Sequence, residues 1–264
     1  MRTCWLLLLG LLAVGCTKAV PVADEKADEK RGVTIWVAAS AQGIVDEIDD
    51  DFENDTGIDV EIVPGPSNGL AKQIIEGAQA DLFLSADKQM ADYVAEKGFA
   101  AARKDLLTNH LVVIVASDSP LQFKRLADLT EPQVRRIALG APKVPAGEYA
   151  KQSLEKAGVL DAVLKKSVYG VDAMATLKYV TLHEVDAGIV YWTETLGNSK
   201  VQVAYEIPDD MHQPIVYPLV LLKQGANRKA ARRFYDYLSS PKAIEIFRRE
   251  GFDPPTDDVP GVFK

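Results

Sequence analysis

Short apolar runs alternating with one-faced helical segments constrain this chain more than any other feature of its sequence. Residues 33–39 form a buried-strand run, and Ile44, Ile48 and Phe52 follow at four-residue spacing until Thr56-Gly57 stops the pattern. Residues 60–63 form the next run, closed by Pro64-Gly65-Pro66. Ser67-Asn68-Gly69 then opens a helical segment bearing Leu70, Ile74 and Ile75. Residues 81–85 read as a third strand and 88–97 as the helix after it. Apolar strands separated by amphipathic helices predict an α/β chain with mostly parallel sheets covered by helices on both faces.

The alternation continues to the C-terminus. Residues 110–116, "HLVVIVA", form a strand from which the chain can leave a first lobe. Strands are expected at 137–139, 167–169, 187–192, 201–207 and 214–222, and helices at 146–157, 172–182, 227–238 and 241–249. Crossings near Ser117 and Tyr217 divide the chain into lobe I, residues 33–116 plus 218–264, and lobe II, residues 117–217. The 264 residues, 47% of them hydrophobic, suffice for two medium-sized lobes. A net charge of -8 supplies no basic footprint, so nucleic acid is not expected as a partner, and a bound anion must be held by something other than bulk positive charge.

The N-terminus "MRTCWLLLLGLLAVGC" has a positive residue, an apolar stretch too short to span a bilayer, and a small-residue junction ending on Cys. Residues 1–15 read as an export signal. Ala13-Val14-Gly15-Cys16 resembles the bacterial lipobox, which makes Cys16 the expected lipidation site and the chain an exported, membrane-anchored lipoprotein, periplasmic or at the cell surface. A plain secretory signal is the alternative. Residues 16–32, repetitive in Ala-Asp-Glu-Lys, read as a charged flexible tether, with a solvated helix as the alternative.

Ligands of open α/β sheets sit beyond the carboxyl ends of the strands, where helix N-termini offer unpaired N–H groups and partial positive charge. Ser40 and Ser67 both occupy such places, although Ser is also a common helix cap. In "KVPAGEYAK", Ala146 and Gly147 carry almost no side chain, so a ligand can approach their main-chain N–H groups. A ligand-free, Pro-initiated helix accounts for the same residues. In "YGVDAMATL", Asp172 is placed to cap a helix whose first N–H groups lie around Ala173, and Tyr191 ends the strand run "GIVY". An amphipathic Tyr at an interface is the plainer reading of that last residue.

The order VAAS, SNGLAKQI, ADLFLSAD, LGAPKVPAGEYAK, DAGIVYWTE and PIVYPLVLLK resembles the molybdate-binding proteins of bacterial and archaeal ABC importers, over residues 33–252. The resemblance implies a two-lobed type II periplasmic-binding-protein fold, a ligand cleft between the lobes, and a tetrahedral oxyanion, molybdate or tungstate, held by neutral donors. It carries over Ser40, Ser67, Ala146 and Tyr191 as ligand-binding positions. Ungapped alignment back from DAGIVY adds Ala173, whereas Val171 would require a two-residue shift. It further implies an ABC importer permease as partner, a monomer, no cofactor, no metal held directly by protein atoms, and no catalysis. The alternatives are a binding protein for another oxyanion such as sulfate, or a hydrolase using Ser40 or Ser67 with His110, His183 or His212. No GxSxG elbow surrounds either serine, and no histidine pair has metal-ligand spacing.

Overall fold

A computed structural model of the chain describes residues 25–255. The expected signal at residues 1–15 and the expected lipidation site Cys16 lie outside the described residues.

The elements follow the sequence pattern closely. They are α1 (Glu25–Arg31), β1 (Val33–Ala38), α2 (Gln42–Thr56), β2 (Val60–Gly65), α3 (Ser67–Ile75), β3 (Leu82–Leu84), α4 (Lys88–Glu96), β4 (Ala100–Thr108) and β5 (Leu111–Ala116). Then come β6 (Ile137–Gly140), α5 (Pro145–Lys156), α6 (Leu160–Leu164), β7 (Ser167–Gly170), α7 (Ala173–Thr181), β8 (Ala187–Tyr191), β9 (Val201–Glu206), β10 (Val216–Leu222), α8 (Lys223–Ala226), α9 (Lys229–Tyr237) and α10 (Pro241–Arg249).

These strands form two five-stranded sheets, ordered β2-β1-β3-β10-β4 and β7-β6-β8-β5-β9. In the first sheet β1 runs parallel to β2 and β3, and β10 runs antiparallel to β3 and β4. In the second, β6 runs parallel to β7 and β8, and β5 runs antiparallel to β8 and β9. Each sheet therefore has four strands in one direction and one reversed. Each lobe repeats the other's plan: β1, β2, β3, β10 and β4 correspond to β6, β7, β8, β5 and β9.

The lobe boundaries differ from those expected. Leu111–Ile114 pair with β8, so residues 110–116 belong to the second lobe and the first crossing falls at Asn109–His110, ahead of Ser117. A strand buried on both faces reads as the same apolar run in either sheet, and only its pairing assigns it. The return crossing precedes Val216, two residues before the expected start at 218. The strand β4 has no counterpart in the sequence reading, because this edge strand mixes exposed Ala101 and half-buried Arg103 and Lys104 with buried Leu106 and Leu107.

The end of the expected tether is docked rather than flexible. Asp28 Oδ1 accepts from Arg228 Nε at 2.8 Å, and its Oδ2 accepts from the Ala230 N–H at 3.0 Å. Arg228 also donates to Asp81 and to the carbonyls of Asp28 and Gly32. Burial pushes the Asp28 pKa up, but the Ala230 N–H and the Arg228 guanidinium outweigh it and hold this carboxyl below its usual range. A charge as poorly exposed as that of Arg228 requires such partners.

One apolar cluster continues through both lobes, from Ile35, Val37 and Phe52 to Val113, Ile137, Tyr191 and Tyr217. Separate clusters cover the opposite sheet faces: Trp36, Leu70, Ile74 and Phe83 in the first lobe, Val112, Ile114, Leu177 and Val190 in the second.

Candidate ligand cleft

Ser40 sits in a 3₁₀ turn, Ala39–Ala41, wedged between β1 and α2. Ser67 is the first residue of α3, after the extended Pro66. Neither serine caps its helix, so the capping explanation does not account for them. Their hydroxyls instead reach across the fold. Ser40 Oγ lies 2.9 Å from Tyr217 Oη, and Ser67 Oγ accepts from the Ala86 N–H at 3.0 Å, just past the end of β3.

The other candidates come from the second lobe. Pro145 starts α5, which leaves Ala146 in the first turn with its N–H free of helical bonding. This turn lies directly on the end of β6, because a side chain at Gly147 would collide with the Gly140 carbonyl. Ala173 is the first residue of α7, and Asp172 caps that helix by accepting from the Ala175 N–H at 2.7 Å. Asp172 thus satisfies the third residue of the turn and leaves the N–H of Ala173 unused. Val171, the shifted alternative, is 68% exposed, whereas Ala173 is buried.

Tyr191 ends β8 and is 1% exposed, yet among the described residues its hydroxyl makes no hydrogen bond of good geometry, with the Tyr217 hydroxyl its polar neighbour. Its ring meets that of Tyr217 edge-on at 5.9 Å. Burial first, and then the nearby Tyr217, Tyr149, Asp87 and Glu194, push the Tyr191 phenol far above its ordinary pKa. Those neighbours draw the site together: Tyr217 bonds Ser40, Tyr149 lies on the α5 turn after Ala146, and Asp87 adjoins the Ala86 N–H held by Ser67. Buried donors of this kind are normally satisfied, so an unpartnered phenol marks a place where a partner is expected.

The sequence reading missed several residues of this cleft. Tyr217 lies in the apolar run of β10, and burial raises its pKa too. Asn109, at the first crossing, donates through Nδ2 to Thr193 Oγ1 at 2.9 Å and to Tyr217 Oη at 3.3 Å. Glu194, in the 3₁₀ turn after β8, is 8% exposed, and among the described residues no hydrogen bond of good geometry reaches either carboxyl oxygen, although the Tyr191 main-chain N–H is close enough to favour its charged form. Burial, reinforced by the Asp172 charge, pushes its carboxyl up to about 8 against the pull of the Tyr191 main-chain N–H. The acidic residue in "YWTE", directly after a buried strand, was the available signal.

Two openings lie between the lobes. One, of about 640 Å³, is lined by Ser40, Gln42 and Asp46 of the first lobe and by Met174, Thr193 and Glu194 of the second. The other, of about 320 Å³, has Asp87 and Lys88 on one side and Pro145, Glu148 and Tyr149 on the other. Neither Ser40 nor Ser67 has a histidine partner. His110 lies against Asp209 and His212 packs on Tyr149.

Residues 33–253 match the family model of the bacterial extracellular solute-binding proteins. The chain is 39% identical to a putative ABC transporter substrate-binding lipoprotein, YvgL, of Bacillus subtilis, covering 92% of this chain and 93% of that protein. It is 35% identical to the molybdate-binding protein ModA of Escherichia coli, covering 91% of this chain and 96% of that protein. Among solved structures, the substrate-binding domain of a putative molybdenum ABC transporter from Clostridium difficile has a TM-score of 0.68 at 30% identity, covering 85% of this chain and 99% of that one. The periplasmic molybdate-binding protein of Azotobacter vinelandii has a TM-score of 0.77 and covers 85% of this chain and 100% of that one; at 24% identity it attests the fold.

Proposed function

We propose molybdate capture, and delivery of that anion to an ABC importer, for a chain that belongs to the bacterial extracellular solute-binding protein family. The observation that carries the reading is its 35% identity to a molybdate-binding protein over 91% of the chain. The cleft chemistry supports it. Ser67 Oγ already accepts from Ala86, so its proton remains available to a ligand. Tyr217, held protonated by burial, can donate to Ser40 and free the Ser40 proton in the same way. Tyr191 Oη adds a third O–H, and Ala146 and Ala173 add two main-chain N–H groups.

Such a set suits a fully deprotonated tetrahedral dianion. Neutral dipoles satisfy its oxygens without the desolvation that a buried Arg or Lys would incur. A site of donors alone also rejects an oxyanion that still carries a proton, because nothing accepts that proton. Molybdate and tungstate have nearly equal size and charge, so both belong to the proposal, while hydrogen phosphate does not. The same reading takes the protein as a monomer without cofactor or catalytic activity, exported and held at the membrane by lipid on Cys16. A relative that is itself named a lipoprotein supports the anchor.

Titration calorimetry of the full-length protein against molybdate, tungstate, sulfate and phosphate tests the function. One-to-one binding of the first two is expected, together with a raised melting temperature, since a ligand that binds only the folded state stabilises it by mass action. Tight phosphate binding without a molybdate response would sink the proposal.

A further inference from the structure

We propose that Glu194, in its protonated form, is a further member of the anion-binding set, and that the anion is released when this proton is lost. The proposal rests on reading the cleft as an oxyanion site. Three observations on the molecule lead to it. Glu194 lines the same interlobe opening as Ser40. It is more than nine-tenths buried, yet among the described residues neither carboxyl oxygen has a well-formed hydrogen bond, the Tyr191 main-chain N–H being a weak influence beside burial. It follows Tyr191 by one short turn, and the Tyr191 hydroxyl is unpartnered as well.

A buried carboxyl without a well-formed hydrogen bond, one turn from a buried phenol that also lacks one, is costly unless a third group completes it. An oxyanion does so only if Glu194 is neutral. As a carboxylic acid it adds one more O–H donor; as a carboxylate it places a negative charge beside a dianion in a poorly hydrated cleft. The groups facing Glu194 favour the acid. Asp172, ahead of α7, repels the charged form, and burial does so more strongly. Tyr191 on β8 and Tyr217 on β10 are held neutral by burial. Asp46, Lys200 and Glu250 line the same opening, with Asp46 on α2 and Glu250 just past α10.

The sign of the linkage follows. Below about pH 8 the free protein already holds the proton, and the affinity does not change with pH. Above it, binding must take up one proton from solvent, so affinity falls by up to about tenfold for each pH unit. Tyr191 and Tyr217, raised by burial, do not titrate in this window. Lys104, which burial brings down to about 8, sits on β4 against Tyr235 and Ser239, so its ionisation does not depend on residue 194.

Calorimetry of the full-length protein with sodium molybdate, from about pH 6.5 to 9.5 in two buffers of different ionisation enthalpy, reads affinity and proton uptake together. Wild type is expected to hold its affinity at neutral pH, lose about tenfold per unit above about pH 8, and take up close to one proton at the alkaline end. Glu194→Gln keeps the neutral shape but cannot ionise, so it is expected to show neither the alkaline fall nor the proton uptake, and any change in its affinity at pH 7 should persist unaltered to the alkaline end. A wild-type affinity flat to the alkaline end, or an unchanged slope in Glu194→Gln, overturns the proposal. Should the variant fail to fold, proton uptake by wild type decides alone, and its absence overturns the idea. No molybdate binding at pH 7 would overturn the function itself, and this inference with it.

Discussion

In the lobe built on β1–β4 and β10, the two strand ends that face the cleft lead into Ser40 and Ser67, whose hydroxyls reach other elements. In the lobe built on β5–β9, the equivalent strands β6 and β7 lead into Ala146 and Ala173, which have only main-chain N–H groups to offer. The packing explains the contrast. Beyond β6, Gly140 and Gly147 touch, and α5 starts directly on the strand end; at Gly170 a side chain would meet the Thr176 N–H, so α7 starts equally close. At these two strand ends the main chain itself comes close to the cleft. At Gly65 in the first lobe the close neighbour is the flexible Leu70 side chain rather than main chain. The first lobe thus offers, at both strand ends, candidate donors that truncation can delete, and the second offers, beside the Tyr191 hydroxyl, main-chain N–H groups that can only be displaced.

The strongest way to break this contrast is Gly147→Val. Its side chain would meet the Gly140 and Ala141 carbonyls, and α5 must lift from β6 to admit it. Overpacking against main chain is expected to cost about 3 kcal/mol or more of stability and to abolish molybdate binding. Chemical denaturation and calorimetry check this; a stable variant that still binds would show that the second lobe's main chain is not a donor.

Truncation in the first lobe sharpens the contrast at a smaller magnitude. Ser67→Ala leaves the buried Ala86 N–H without its acceptor, and apo stability should drop by about 1–3 kcal/mol. Affinity should fall by about one to two decades in Ser67→Ala and in Ser40→Ala, as for loss of a hydrogen bond to a charged group. For Ser40→Ala the apo loss should be the smaller, because Tyr217 keeps its bond from Asn109. Melting temperature and molybdate affinity of both variants decide, and unchanged affinity in both would reduce the serines to structural links.

The smallest stability effect is expected from Tyr191→Phe. The removed hydroxyl has no protein partner, so the apo melting temperature should stay within a degree or two of wild type or rise slightly. Its absence should show in faster anion dissociation, by about tenfold, measured by stopped-flow fluorescence. An unchanged dissociation rate would remove Tyr191 from the site.

Much of this was legible in the sequence because period and punctuation carry it. The runs that became β1, β6 and β8 are wholly buried or nearly so, and Pro145 and Asp172 mark the starts of α5 and α7 as they read. The wrong lobe assignment of β5 and the absence of β4 share a cause, since pairing partners far along the chain leave no local mark. The serines were legible as residues at strand ends but not as hydrogen-bond partners of the Ala86 N–H and the Tyr217 hydroxyl, which depend on contacts across the fold. Glu194 passed unremarked in the sequence, because its burial arises only when β5, β8 and β9 pack around its turn.

The pairing of the two reversed strands also dictates how the molecule must be assembled. The reversed strand of the first sheet, β10, joins β3 and β4 only after the whole second lobe has been spelled out, and β4 has β10 as its neighbour. A chain delivered N-terminus first therefore holds β3 with an open edge and β4 unpaired until residues 216–222 arrive. Such long-range closure is slow, because the loop entropy must be met before the contacts reward it. The nascent first lobe is an unfinished template, and a truncation that removes β10 leaves the apolar edge of β3 exposed.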